Sequence, residues 1–133
     1  MKKIKIILLL VFLLNIFTTS ASADNYNKYW TGKTITYSGT TVASNLYLKQ
    51  KNIDGTLKQA LETDASLVNI YYKIYNSSGT LINTLETAYK GKGTTSTYSF
   101  ETNGMITNTP YNVKAKRQNF WDSGLLSNGS ITQ

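Results

Sequence analysis

Leu67-Val68-Asn69-Ile70-Tyr71-Tyr72-Lys73-Ile74-Tyr75 is the stretch on which the fold turns. Val68, Ile70, Tyr72 and Ile74 take alternate positions, and Asn69, Tyr71, Lys73 and Tyr75 fill the gaps. Successive side chains of a strand point to opposite faces, so this pattern predicts a strand with one apolar face and one polar, aromatic face. Its β-branched and aromatic residues suit a pleated, half-buried surface. Asn76-Ser77-Ser78-Gly79 follows as a turn, with Gly79 suited to positive φ. Residues 80–87 then return as the hairpin partner.

The same period recurs on both sides of this hairpin. In residues 111–117, Tyr111, Val113 and Ala115 point inward while Asn112, Lys114 and Lys116 point outward. In residues 42–50, Val42, Leu46 and Leu48 share a face, with Ser44 the exception. Ile35 and Tyr37 share a face in residues 33–38, and Tyr98 and Phe100 point inward in residues 97–101. Residues 129–132 form a short last strand. Residues 52–65 are ambiguous: Asp54-Gly55 is a turn signal, and Leu57 and Leu61, four apart, fit a short helix or an irregular strand. The all-β neighbours favour a strand or loop. About seven short strands bounded by turns predict an all-β fold, a small antiparallel β-sandwich. No repeat or linker divides residues 24–133, so they are read as a single domain.

Three segments between Leu67 and Thr132 carry a family likeness: the hairpin Val68–Tyr75 with Leu81-Ile82, Thr97-Tyr98-Ser99-Phe100, and Thr109-Pro110-Tyr111-Asn112-Val113-Lys114-Ala115-Lys116. This half of the chain resembles the second half of a fibronectin type III or related immunoglobulin-like domain. The resemblance implies an immunoglobulin-like sandwich in which Tyr111 closes a corner between strands, its ring in the core and its hydroxyl on nearby backbone. The first half lacks the family's Pro-x-Leu-x-Val-x-Trp opening, which leaves the strand order open. Such sandwiches serve many functions.

The amino terminus reads as a secretory signal peptide over residues 1–23. Lys2, Lys3 and Lys5 precede an apolar run from Ile6 to Phe17, and Ala21-Ser22-Ala23 supplies the small residues that a signal peptidase accepts. The run is too short for a membrane span, which needs about 20 residues. Cleavage before Asp24 yields a secreted, extracellular product. The net charge of +7 then falls to +4 with the loss of the three leader lysines. That value favours solubility and mild attraction to anionic surfaces, and does not by itself argue for nucleic acid.

The chain has no cysteine and no histidine. This removes disulfides, thiol nucleophiles, the common zinc sites and histidine-based triads. Glu62 and Asp64 are close enough to pair as acid and base, but two solvated carboxylates beside a turn are the commoner arrangement. Lys90-Gly91-Lys92-Gly93-Thr94-Thr95 lacks the spacing and the following helix of a phosphate loop. No cofactor, metal or catalytic residue is expected, and the chain is read as non-enzymatic.

The strongest binding candidates are Lys114, Lys116, Arg117, Phe120 and Trp121, a basic strand running into an aromatic loop. Loop aromatics can stack on sugars or enter an interface, and nearby cations attract anionic polymers. The alternative is that the lysines keep a strand soluble and Trp121 folds onto the core. Lys90 and Lys92 form a second candidate group. Tyr47, Tyr71 and Tyr75, opposite the apolar strand faces, make either an aromatic recognition face or a second packing layer. The expectation is a secreted binding protein acting at or outside the cell envelope, on an envelope polymer, a glycan or an extracellular protein. An antimicrobial or pore-forming toxin is the alternative, although only residues 42–50 and 67–75 approach the 9 to 11 residues of a membrane strand.

Overall fold

A computed structural model of the chain describes residues 26–63, 69–118 and 125–133. Residues 1–23, Asp64, Val68, Phe120 and Trp121 lie outside these residues. The described residues form strands and turns, with no helix. The strands are β1 (Asn27–Ile35), β2 (Thr40–Leu46), β3 (Gly55–Leu61), β4 (Asn69–Asn76), β5 (Leu81–Ala88), β6 (Thr95–Phe100), β7 (Tyr111–Arg117) and β8 (Leu125–Thr132).

They build two four-stranded sheets, in the orders β1-β8-β3-β6 and β2-β7-β4-β5. Strands equally distant from the middle of the chain are partners: β4 with β5, β3 with β6, β2 with β7 and β1 with β8, all antiparallel. The chain is thus one long antiparallel hairpin rolled over on itself and closed by the β3–β8 and β4–β7 ladders. This is the order of a jelly roll, a β-sandwich of two Greek keys. The all-β sandwich of two antiparallel sheets is the expected fold class. The last strand lies between β1 and β3, so β2 is the strand that flanks β7 on its other side.

The ambiguous stretch supplies β3. Its period is two, but one of its inward positions is polar: Leu57, Gln59 and Leu61 all point into the core. Gln59, only 2% exposed, is accommodated because its Oε1 accepts from the Tyr72 hydroxyl at 2.6 Å and the Thr87 hydroxyl at 3.1 Å. These bonds tie the two sheets together through a buried polar group that would otherwise be costly to bury. Burial pushes the Tyr72 hydroxyl well above the usual tyrosine range.

Register shifts account for the places where simple alternation fails. Trp30 and Ile35 are both buried although five residues apart, because β1 shifts register between Trp30 and Lys33. Gly32 sits there with φ 62°, and its N–H donates to Asn128 Oδ1 at 2.7 Å. In β2 two shifts bury Val42, Ala43 and Leu46 and leave Ser44 exposed. Tyr37 does not share a face with Ile35: β1 ends at Ile35, the chain turns at Gly39 (φ 103°), and Tyr37 is 44% exposed.

The core lies between the sheets. Ile35, Leu57, Ile70, Val113 and Ile131 are among its fully buried members. Each such aliphatic side chain contributes about 1.5–3 kcal/mol relative to exposure. Two glycines of the first sheet make room for rings. A Cβ on Gly55 would lie 2.0 Å from the Phe100 ring, and one on Gly129 would lie 2.3 Å from the Trp30 ring and 2.4 Å from the Lys58 carbonyl oxygen. Both rings belong to the directly opposite residue of the neighbouring strand. Tyr111 is buried, and its hydroxyl accepts from the Ile106 N–H at 2.8 Å, which gives the ring the backbone bond expected of it.

Candidate functional site

Alternation sends Tyr71, Lys73 and Tyr75 of β4 to the outside of the second sheet. In β7 it sends out Asn112, Lys114 and Lys116. The β4–β7 ladder sets these residues side by side: Tyr71 opposite Lys116, Lys73 opposite Lys114, and Tyr75 opposite Asn112. On the other flank of β4, Tyr71 faces Glu86 and Lys73 faces Thr84. Two adjacent strands thereby bring three lysines and two tyrosines together on one surface, and the β1–β2 turn adds Tyr37.

Two of the lysines are held against rings. Lys116 Nζ lies 4.7 Å from the centre of the Tyr37 ring, and Lys114 Nζ lies 5.6 Å from that of Tyr75. Such cation–π contacts are worth about 0.5–1 kcal/mol at exposed sites. They fix where each ammonium group stands without cancelling its charge. Glu86 is the acid at the edge of this face, and its Oε1 accepts from Asn69 Nδ2 at 2.6 Å. Tyr37, Tyr71, Lys73, Thr84, Lys116 and Arg117 are among the residues that line a shallow groove of about 350 Å³. The arrangement offers flat rings for stacking beside cations for anionic groups.

The five residues singled out in the sequence fall into three situations. Lys114 and Lys116 are on the outer face, as expected. Arg117, the next odd-numbered position after Tyr111, Val113 and Ala115, is turned inward at the end of β7 and is only 9% exposed. Phe120 and Trp121 lie outside the described residues. Lys90 and Lys92 are exposed in the loop after β5, which is anchored by the bond from Gly93 N–H to the Leu61 carbonyl at 2.8 Å. Strand ends put this loop at the same end of the sandwich as Arg117, because Asn69 pairs with Ala88 and Gln118 N–H donates to the Asn69 carbonyl. Glu62 Oε1 accepts from Asn128 Nδ2 at 3.3 Å, and Asp64 lies outside the described residues.

Sequence inspection had placed Tyr71, Tyr75 and Lys73 on the polar side of their strand but did not join them to Lys114 and Lys116. The available signal was that two strands carried Tyr/Lys and Lys/Lys alternation in their outward positions. Joining them required knowing that β4 and β7 are neighbours. Tyr37 gave no signal, since its alternation with Ile35 argued for the interior.

No known protein family, curated protein or solved structure matches the chain.

Proposed function

We propose that this chain is an exported, non-enzymatic binding protein that acts at or outside the cell envelope and holds a polyanionic envelope polymer on the outer face of its second sheet. The observation that carries this is the cluster of Lys73, Lys114 and Lys116 interleaved with Tyr37, Tyr71 and Tyr75. A repeating anionic polymer meets several cations at once, and the rings stack on its sugar or polyol units. The leader pattern of residues 1–23 supports export, and the lack of cysteine and histidine favours binding over catalysis. Arg117 lies at the margin of the proposed contact, and Phe120 and Trp121, which follow it closely in the chain, remain candidates on their sequence alone. The outer strand faces carry mostly hydroxyls, tyrosines and lysines among the described residues, with Leu81 the exposed aliphatic of β5, which favours this function over a pore with a lipid-facing apolar band.

The test is retention of the purified protein on isolated cell walls, before and after their phosphate-bearing polymers are stripped, with a neutral glucan as the reference. Retention should depend on those polymers and weaken with salt. Equal retention on stripped walls, or undiminished retention of the triple variant Lys73→Glu, Lys114→Glu, Lys116→Glu, overturns the proposal.

A further inference from the structure

Among the described residues four strands have a free edge: β1 and β6 in the first sheet, β2 and β5 in the second. A free edge presents unpaired N–H and C=O groups to any extended chain, and proteins blunt it with charges, bulges or covering side chains. Three of these edges are blunted. β1 carries Lys28 and Lys33 and is kinked by its bulge. β2 shifts register twice within seven residues and has Asn45 at φ 54°. β5 carries Glu86, and its Thr84 N–H donates to Asn83 Oδ1 at 2.8 Å. At its end the Ala88 N–H donates to the Tyr98 hydroxyl at 3.2 Å, and that hydroxyl donates to the Ala88 carbonyl at 3.0 Å.

β6 is different. Thr95-Ser96-Thr97-Tyr98-Ser99-Phe100 contains no charge, no proline and no bulge, and pairs with β3 over six consecutive residues. Thr95, Thr97 and Ser99 are exposed. Among the described residues nothing pairs with the outer edge of its backbone. A short, regular, uncharged segment rich in β-branched and aromatic residues is the kind that adds to another strand.

We propose that β6 is the surface through which two copies of this chain associate, by antiparallel pairing centred on Thr97. The segment is complementary to itself. With Thr97 opposite Thr97 of the second copy, Thr95 meets Ser99 on the outer face and Ser96 meets Tyr98 on the inner face. Side-chain alternation is preserved in both copies, and hydroxyl-bearing residues face one another with no like charges opposed. The backbone groups of this edge would accept any extended chain, but a second β6 also matches its side chains from Thr95 to Ser99. The paired sheets form one continuous eight-stranded sheet, and both lysine–tyrosine faces then look to the same side. A five-residue ladder spans only about 17 Å. It buries less than the ~800 Å² per partner of a stable interface, so the dimer forms reversibly and at high concentration.

Sedimentation equilibrium of the purified protein, from about 1 µM to about 1 mM, tests this without any ligand. The unmodified protein should show a reversible monomer–dimer equilibrium. Thr97→Lys and Thr97→Glu should each weaken it at least about tenfold, because each sets a charge directly against its own copy. An equimolar mixture of the two variants should restore association, which an unfolded variant could not do. Ser130→Lys, on the interior strand β8, should leave the dimer unchanged. A monomer throughout the range, dimers indifferent to Thr97→Lys, or a mixture that fails to recover association would each overturn the proposal.

Discussion

The two outer faces of this sandwich stand on the same core and have opposite chemistries. The outer face of the first sheet is made mostly of short hydroxyl side chains: Thr56, Thr95, Thr97, Ser99 and Ser130, with Lys58 and Tyr29 among them. That of the second sheet sets Lys73, Lys114 and Lys116 among Tyr71 and Tyr75, with Tyr37 at its margin. A strand needs outward residues that tolerate water, and serine or threonine meets that need with little side-chain entropy to lose. Lysine and tyrosine meet it too, but they add charge, reach and flat apolar area. The difference teaches that solubility alone does not account for the second face, since the first achieves it with simpler residues.

The strongest way to break this comparison is to damage the core that both faces share. Gly129→Ala puts a Cβ against the Trp30 ring and the Lys58 backbone. It should lower stability by about 3 kcal/mol, read from a denaturant midpoint, and reduce the folded fraction that can bind walls. An unchanged midpoint would mean that the first sheet does not hold Trp30 as described.

The sharpest contrast comes from charge reversal. The triple change Lys73→Glu, Lys114→Glu, Lys116→Glu should weaken retention on anionic walls by at least about 100-fold, taking ~1 kcal/mol for the loss of each lysine near an anionic surface, with the repulsion of each glutamate added to that. Lys58→Glu on the hydroxyl face should change retention little. Equal losses from the two faces would erase the distinction between them.

A smaller effect concerns the polar group between the sheets. Tyr72 is held protonated in the core, while an unfolded chain ionises it near pH 10. The unfolded state therefore binds fewer protons above that pH, and stability falls as pH rises through the alkaline range. Tyr72→Phe should flatten that fall and cost about 1 kcal/mol at neutral pH by removing the hydrogen bond to Gln59. Melts at pH 7 and at higher pH, side by side, measure both. Smallest of all, Tyr75→Leu should weaken wall retention by about 0.5–1 kcal/mol through the lost ring contact with Lys114, with little change in stability.

Much of the fold was legible because backbone pleating imposes a period that sequence must obey. The strand 111–117 and the hairpin across Asn76–Gly79 appear where the alternation put them. β3 was hard to read because Gln59 occupies an inward position, and a polar residue there is intelligible only once Tyr72 and Thr87 are known to meet it. The bulges near Gly32 and Asn45 were hidden because a register shift leaves no mark in local composition. The site was half legible for a related reason. Lys114 and Lys116 declared themselves on one strand, but their joining with Tyr71, Lys73 and Tyr75 depends on strands separated by some forty residues of chain. Arg117 looked continuous with the lysines, yet adjacent residues of a strand face opposite ways.

The rolled-hairpin order bears on the export proposed above. A polypeptide that crosses a membrane through a narrow channel must stay unfolded until it emerges. Here Leu125–Thr132 lies between β1 and β3, so the opening strand has no ladder partner until the closing strand arrives. Pairing between such distant segments is slow to nucleate. The topology thus delays completion of the first sheet until nearly the whole chain is available, which suits the proposed passage in an unfolded state.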